Sequence, residues 1–412
     1  SFSESASASR DAIARQRHAM LADRIAALHP SLASAHAPEI APDDRREEVA
    51  RILTSRRFPR DAEPAVLIMV PWLTRGGADA VVETLVRTWT AAGHTVVIVK
   101  TIEIGEGMED RSEEFLELTP YVYDLPSLLP TTSWEDFLVS TLERLGDSVL
   151  VNIGSPAFYE FAHAIRRRVP DVRLVDQQFN DRGHLAGNRR CADVIDETIA
   201  AYDALAETIR ADGRATAVST VYVGIDLPDP IPDREAARRN LGVEEEPVVA
   251  FIGRLSVEKR PEWIVAAARE ALDRGDPATF VVVGDGPLHM AMAKTPSNVQ
   301  WLRRVESAWD IIAAADVLAL PSTIEGIPLV AMEALAIGVP VVSTAVGGLP
   351  ELERFGVVLV DVDDRDAFID RVLAAARRPP SVDGLPDRFR RDAMIEGYNA
   401  AIGRSADPET DA

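Results

Sequence analysis

Two stretches, AVLIMVPW at 65–72 and PVVAFIGRL at 247–255, are apolar at nearly every position, and each runs straight into a glycine-bearing loop. A strand that is apolar throughout has both faces buried, which requires a parallel sheet covered by helices on either side. The first stretch leads through TRGGAD into a helical pattern over 78–92, Gly93 closes that helix, and TVVIVKT at 95–101 supplies the next strand. Strand, short loop, helix and strand make a βαβ unit. Further strands are expected at SVLVNI (148–153) and VRLVDQ (172–177).

The same grammar restarts after the proline-rich PDPIPD. Strands at 247–255, 280–286, 299–302, 316–322 and 339–344 alternate with helices at 261–274, 307–315 and 328–337. VVLVD then leads to a helix at 366–377, and a terminal helix is expected near 387–402. The reading is an α/β chain of two doubly wound domains, 63–230 and 231–385, followed by a C-terminal helix and tail, 386–412. Residues 1–62 form an arginine-rich extension with helical periodicity at 12–28 and 45–53. It is expected to pack on the body or to mediate homo-oligomerisation, a partner- or membrane-surface helix being the alternative.

Composition narrows the function classes. The 412 residues carry a net charge of −22, which argues against a nucleic-acid-binding surface. The first 60 residues hold ten arginines and eight acids, so the acid excess belongs wholly to the two domains. Cys191 is the single cysteine, so neither a disulfide framework nor a thiolate metal site is available. No apolar run is long enough to span a bilayer and no signal-peptide core opens the sequence, so a cytoplasmic location is expected.

In an open parallel sheet, ligands bind at the carboxyl ends of the strands. Gly76 and Gly77 follow the first strand and precede a helix, where backbone approaches a ligand closely and the helix N-terminus favours an anion. A tight turn would need the same residues. Arg254 and Lys259 follow the strand at 247–252 and together suit a diphosphate, a salt bridge from Lys259 to a neighbouring acid being the alternative. Gly284-Asp285-Gly286 lacks the third glycine of a dinucleotide fingerprint, and Asp285 reads as a turn residue. In the loop from Pro321 to Gly338, Pro328 is placed as the first helical residue, freeing N–H groups near Ile327 and Leu329 for a phosphate. Glu333, in the next turn among Leu329, Val330, Met332, Leu335 and Ile337, needs a hydrogen-bonding partner such as ribose hydroxyls, an arginine or a helix end. Glu325 lies in the loop, where it either reaches a ligand or is a plain loop acid. Asp361 and Asp363 have a D-x-D form, but Asp364 is placed to cap the following helix, so a turn is expected and no metal site.

GRLSVEK, VVVGDGPL, the E-x7-E segment from Glu325 to Glu333 with its trailing GGLPE, and the earlier PWLTRGGAD resemble the retaining GT-B-fold glycosyltransferases, the family 4-like group with bacterial mannosyl- and glucosyltransferases. The resemblance covers roughly residues 64–402. It implies two Rossmann-like domains facing across a cleft, the second binding a nucleotide-diphosphate sugar, UDP- or GDP-linked, with no essential cofactor or metal. By position, Arg254 and Lys259 would neutralise the diphosphate, Glu325 would contact the donor sugar and Glu333 the ribose. Gly76, Gly77, Gly326, Ile327, Pro328 and Leu329 would line the donor site, and the terminal helix would cross back to the first domain. The acceptor, a glycan, glycolipid, protein or small molecule, is unidentified. Gln177 and Gln178 stand where the family often has a histidine. His184, with Asn180 and Asp181, is the nearest substitute for catalytic or acceptor duty, although a loop histidine is commonly just solvated. Arg303-Arg304 and Arg260 replace glycines usual in the family. A nucleotide-sugar epimerase of related fold and a catalytically degenerate sugar-nucleotide-binding protein are the alternative readings. A nicotinamide dehydrogenase is disfavoured by the missing fingerprint.

Overall fold

A computed structural model describes residues 58, 64–105, 109–213, 217–305, 307–403, and the expected N-terminal helices and C-terminal tail lie outside them. The first domain holds β1 (Ala65–Val70), β2 (Val96–Lys100), β3 (Val122–Asp124), β4 (Ser148–Ile153), β5 (Arg173–Gln178), β6 (Glu197–Ala200) and β7 (Val218–Thr220). Their order in the sheet is β3-β2-β1-β4-β5-β6-β7. The second holds β8 (Val248–Ile252), β9 (Thr279–Val283), β10 (Val299–Leu302), β11 (Val317–Leu320), β12 (Val341–Thr344) and β13 (Val357–Val360), in the order β10-β9-β8-β11-β12-β13. Every ladder is parallel. Both sheets reverse strand order beside their first strand, between β1 and β4 and between β8 and β11, and the crevice at such a reversal is where doubly wound folds bind ligands.

The apolar strands are apolar because each serves two cores. In β8, Val248 and Ala250 join one buried cluster while Val249 and Phe251 join the other, the period-two alternation of a pleated strand. The cluster holding Val248 and Ala250 continues through Met332 and Leu349 into Leu85 and Val151 of the first domain, so apolar packing is continuous between the domains.

Asp364 caps the helix Arg365–Arg377, accepting from the Ala367 N–H at 2.9 Å, and Asp361 closes the preceding turn by accepting from the Asp363 N–H at 3.0 Å. One placement differs from the sequence reading. Pro328 is not the first helical residue: its extended backbone, ψ 128°, makes it the cap of a helix that begins at Leu329. A fixed proline φ suits either position, and ψ decides between them. The terminal helix, Arg391–Ile402, packs on the first domain. Asn399 accepts from the Trp89 indole at 2.9 Å, and Tyr398 donates to Gln177 Oε1 at 2.5 Å.

Candidate functional site

The β8 and β9 loops are zipped together at their backbones. Gly253 N–H donates to the Val283 carbonyl and Leu255 N–H to the Asp285 carbonyl, both at 3.0 Å. The Asp285 side chain accepts from the Gly286 N–H at 2.8 Å, the turn role expected of it. This holds Arg254 at a strand end, exposed and without an ion pair among the described residues. Lys259 lies across from the β11 loop, where its Nζ donates to Glu325 Oε1 at 2.6 Å. Ser322 Oγ donates to the same oxygen at 2.6 Å. Lys259 thus does pair with an acid, and the acid is the other site candidate. At 8% exposure, Glu325 would be costly to bury without that cation.

The loop at Glu325-Gly326-Ile327 is gripped from two sides. A Cβ on Gly326 would stand 2.6 Å from the Phe179 carbonyl oxygen of the first domain. On the other side Gly347, at φ 59°, would place a Cβ 2.2 Å from the Glu325 carbonyl oxygen. Only glycine combines that backbone with so close an approach. Gly348 N–H donates to the Gly326 carbonyl at 2.8 Å, so Gly347 and Gly348 position the loop, a role the sequence reading did not give them although the GG pair was visible. Gly77 opens the helix Gly77–Ala91 and lies against Leu329, its Cβ position 3.7 Å from Leu329 Cδ1; Gly76 is its extended cap. The structure therefore brings Gly77 to the start of the helix Leu329–Ala336, whose leading N–H groups have no partner within the helix.

Glu333 lies one helical turn past Leu329 and makes no hydrogen bond to Lys259 or Glu325. It is half-buried, has no hydrogen bond or ion pair among the described residues, and lines a cavity of about 170 Å³ with Thr84, Asp226, Trp309 and Arg391. Burial alone pushes its carboxyl up to about 7.

A second cavity, about 210 Å³, sits at the β1–β4 reversal and is lined by Trp72, Asp79, Gln177, Gln178, Phe179 and His184 among others. Beneath it lies a polar network that the sequence did not reveal. Asp176, fully buried, accepts from Asn152 at 2.7 Å, Gln178 at 2.7 Å, Asn188 at 2.8 Å and the Tyr159 hydroxyl at 2.9 Å. Desolvation outweighs these donors and pushes its carboxyl up to about 6. His184 stacks on Tyr159, ring centroids 6.0 Å apart, and burial lowers its pKa, so it is neutral at pH 7. Of the other acceptor-side candidates, Asn180 lines the cavity but spends its Oδ1 on the Arg182 and Gly183 N–H groups, and Asp181 is exposed and outside the lining. Asp79 accepts from the Thr74 N–H at 2.9 Å and its hydroxyl at 3.2 Å.

The arginines that replace family glycines have local duties. Arg303 stacks on Trp301, 4.8 Å from the ring centre, while Arg304 reaches Glu109 of the first domain at 2.8 Å.

Two doubly wound domains with their strand-end crevices closed on each other through Gly77, Leu329, Phe179 and Gly326 define the GT-B class. Residues 246–378 match the family described as glycosyl transferases group 1, and the two domains together have the GT-B fold. It is 34% identical over 213 residues to a D-inositol 3-phosphate glycosyltransferase of Mycolicibacterium gilvum, covering 45% of this chain and 47% of that one. The protein so described from Actinosynnema mirum is 34% identical over 279 residues, 60% of this chain and 66% of its own. The chain thus spans about half the length of the first of these relatives. Among solved structures, Anabaena Alr3699/HepE in complex with UDP and glucose superposes with a TM-score of 0.64 at 17% identity, covering 82% of this chain and 99% of that one. Sucrose-phosphate synthase from Thermosynechococcus elongatus gives 0.62 at 17% identity, covering 82% and 98%.

Proposed function

We propose that this chain transfers a sugar from a nucleotide-diphosphate sugar, UDP- or GDP-linked, to an acceptor hydroxyl with retention of anomeric configuration and without an essential metal. The observation that carries the reading is the meeting of cations and open backbone donors at one strand reversal. Arg254 and Lys259 stand on one side of the β8–β11 crevice and the start of the helix Leu329–Ala336 on the other. Negative charge grows on the departing diphosphate as the glycosidic bond breaks, and preorganised positive charge is worth most there. Arg254, the helix N-terminus and Lys259 supply it without a metal ion. Asp361 and Asp363, a pair with D-x-D spacing, are engaged in a turn and beside Arg260.

In this reading the Lys259–Glu325 pair is a resting arrangement. A diphosphate competes for the lysine, and Glu325 turns toward the donor sugar hydroxyls. Glu333, unpartnered and half-buried, takes the ribose hydroxyls. The acceptor hydroxyl attacks from the first-domain cavity on the face the phosphate leaves, and the phosphate oxygen takes its proton. Titrating the protein with UDP-, GDP-, ADP- and dTDP-sugars while following thermal unfolding tests the donor. One nucleotide should raise stability, by about 2.7 kcal/mol at a hundred times its Kd. Arg254→Ala and Lys259→Gln should abolish that rise and lower transfer about 100-fold or more while the variants stay folded. Near-normal turnover in both would remove the donor-site assignment.

A further inference from the structure

We infer that the acceptor taken by the first-domain cavity is an uncharged hydroxyl compound, not a phosphorylated one. The inference rests on the transferase reading above and names the substrate class of its second site. Among the described residues, none lining the cavity is lysine or arginine. Its polar wall consists of Gln177, Gln178, Asn180 and His184 together with the carboxylate of Asp79. A second carboxylate, Asp176, lies directly behind Gln178, and every donor to it is neutral. A phosphate here would meet acids without a counter-charge from the lining.

Lys100, Arg111 and Arg75, cations at the surrounding strand ends and loops, are already committed. Lys100, 1% exposed at the end of β2, is held by Asp124 at 3.0 Å, Asp110 at 3.2 Å and Ser112 at 2.8 Å. Arg111 is bound by Glu83 and Glu114, and Arg75 by Glu109. Arg182, in the loop beside the cavity, is exposed and outside its lining. Freeing Lys100 for an anion would leave two carboxylates without it.

Gln178 adds a positive requirement. Its Nε2 donates to Asp176 and to the Tyr159 hydroxyl at 2.8 Å, and since an ionised carboxylate only accepts, the amide cannot be turned the other way. Its buried Oε1 is left with no donor among the described residues. A ligand hydroxyl brought against it would supply one. Trp72 and Phe179 offer aromatic walls suited to the apolar faces of a sugar or polyol ring.

The test offers matched acceptor pairs with the donor selected by the stability screen. Each pair is a neutral sugar or polyol and its monophosphate, myo-inositol and D-inositol 3-phosphate included, and nucleoside diphosphate release above the acceptor-free rate is followed. The monophosphate should fall about 100-fold or more below its neutral partner in kcat/KM, as burying like charges together demands. Equal or better use of the monophosphate overturns the inference. Calorimetric titration of the full chain with D-inositol 3-phosphate decides the matter where no pair turns over. Saturable binding that Trp72→Ala abolishes overturns it, and absence of saturable heat at millimolar concentration supports it. A chain that binds no nucleotide sugar fails the donor reading instead, and the titration does not depend on that result.

Discussion

Arg260 has a positive φ, 47°, the one such non-glycine among the described residues, at the cap of the helix Pro261–Arg274. A side chain there costs roughly 1–2 kcal/mol, which explains why glycine is usual in its family at this position. The arginine offsets the cost locally. Its guanidinium lies 4.5 Å from the Trp263 ring centre and donates to the Val362 carbonyl. Arg260→Ala should therefore lose these contacts and keep the strain, whereas Arg260→Gly loses the contacts and the strain together. The glycine variant should be more stable than the alanine one by about 1 kcal/mol, read from urea unfolding. Equal stability would mean the backbone relaxes. At this scale the sequence showed that a residue was unusual but not what compensates it, because Trp263 and Val362 reach Arg260 only once the helix and the β13 loop are packed.

The helix Leu329–Ala336 is apolar almost all round, with Ala331, Met332, Ala334 and Leu335 buried. Its one ionisable group, Glu333, has its carboxyl pushed up to about 7 by burial, against about 4.5 when unfolded. Between those values the unfolded chain has already lost the proton and the folded chain still holds it. Stability contributed by neutral Glu333 is thus fully present below about pH 4.5 and lost as pH rises to about 7. Glu333→Gln should remove this part of the decline, seen as a flatter dependence of Tm on pH across that window. An unchanged slope would show the group ionised throughout. Asp176, pushed to about 6, adds a decline of the same sign that the variant leaves in place. Strands were the most legible elements, since β1, β4 and β8 are apolar on both faces. β3, β6 and β7 are three or four residues long, and ETIA and VST carry polar residues, so no apolar run announced them.

Across the whole molecule, the last described helix backs the wall of a cavity in the first domain through one lining residue. Tyr398 of that helix is buried, and its hydroxyl is held by Gln177, which lines the acceptor-side cavity. Arg173 at the start of β5 donates to the Ala401 carbonyl at 2.7 Å, fastening the same helix. Tyr398→Phe would leave the buried Gln177 oxygen unpaired, at a cost of about 1–3 kcal/mol in urea unfolding. The acceptor KM should rise while nucleotide affinity stays unchanged. A variant with unaltered stability and KM would show that the contact is dispensable. The second tie between domains, Glu351 accepting from the Ala204 N–H at 2.8 Å and the Tyr222 hydroxyl at 2.6 Å, uses the acid of the GGLPE motif.

The sequence by itself determined the two doubly wound domains, since strands buried on both faces must be apolar throughout and that pattern is local. It also marked Arg254, Lys259, Glu325 and Glu333, because charged residues at strand ends and inside an apolar helix stand out from their neighbours. Only the tertiary structure decided that Lys259 and Glu325 hold each other and that Glu333 stands apart from them. It alone decided that Gln177, Gln178 and His184 line a cavity that has no cation in its lining among the described residues and lies over a buried carboxylate. Those facts depend on side chains from β5, the β8 and β11 loops and the final helix, far apart along the chain. Their protonation and pairing are set by burial and by which charges packing brings within a few ångströms, and no spacing along the sequence records either.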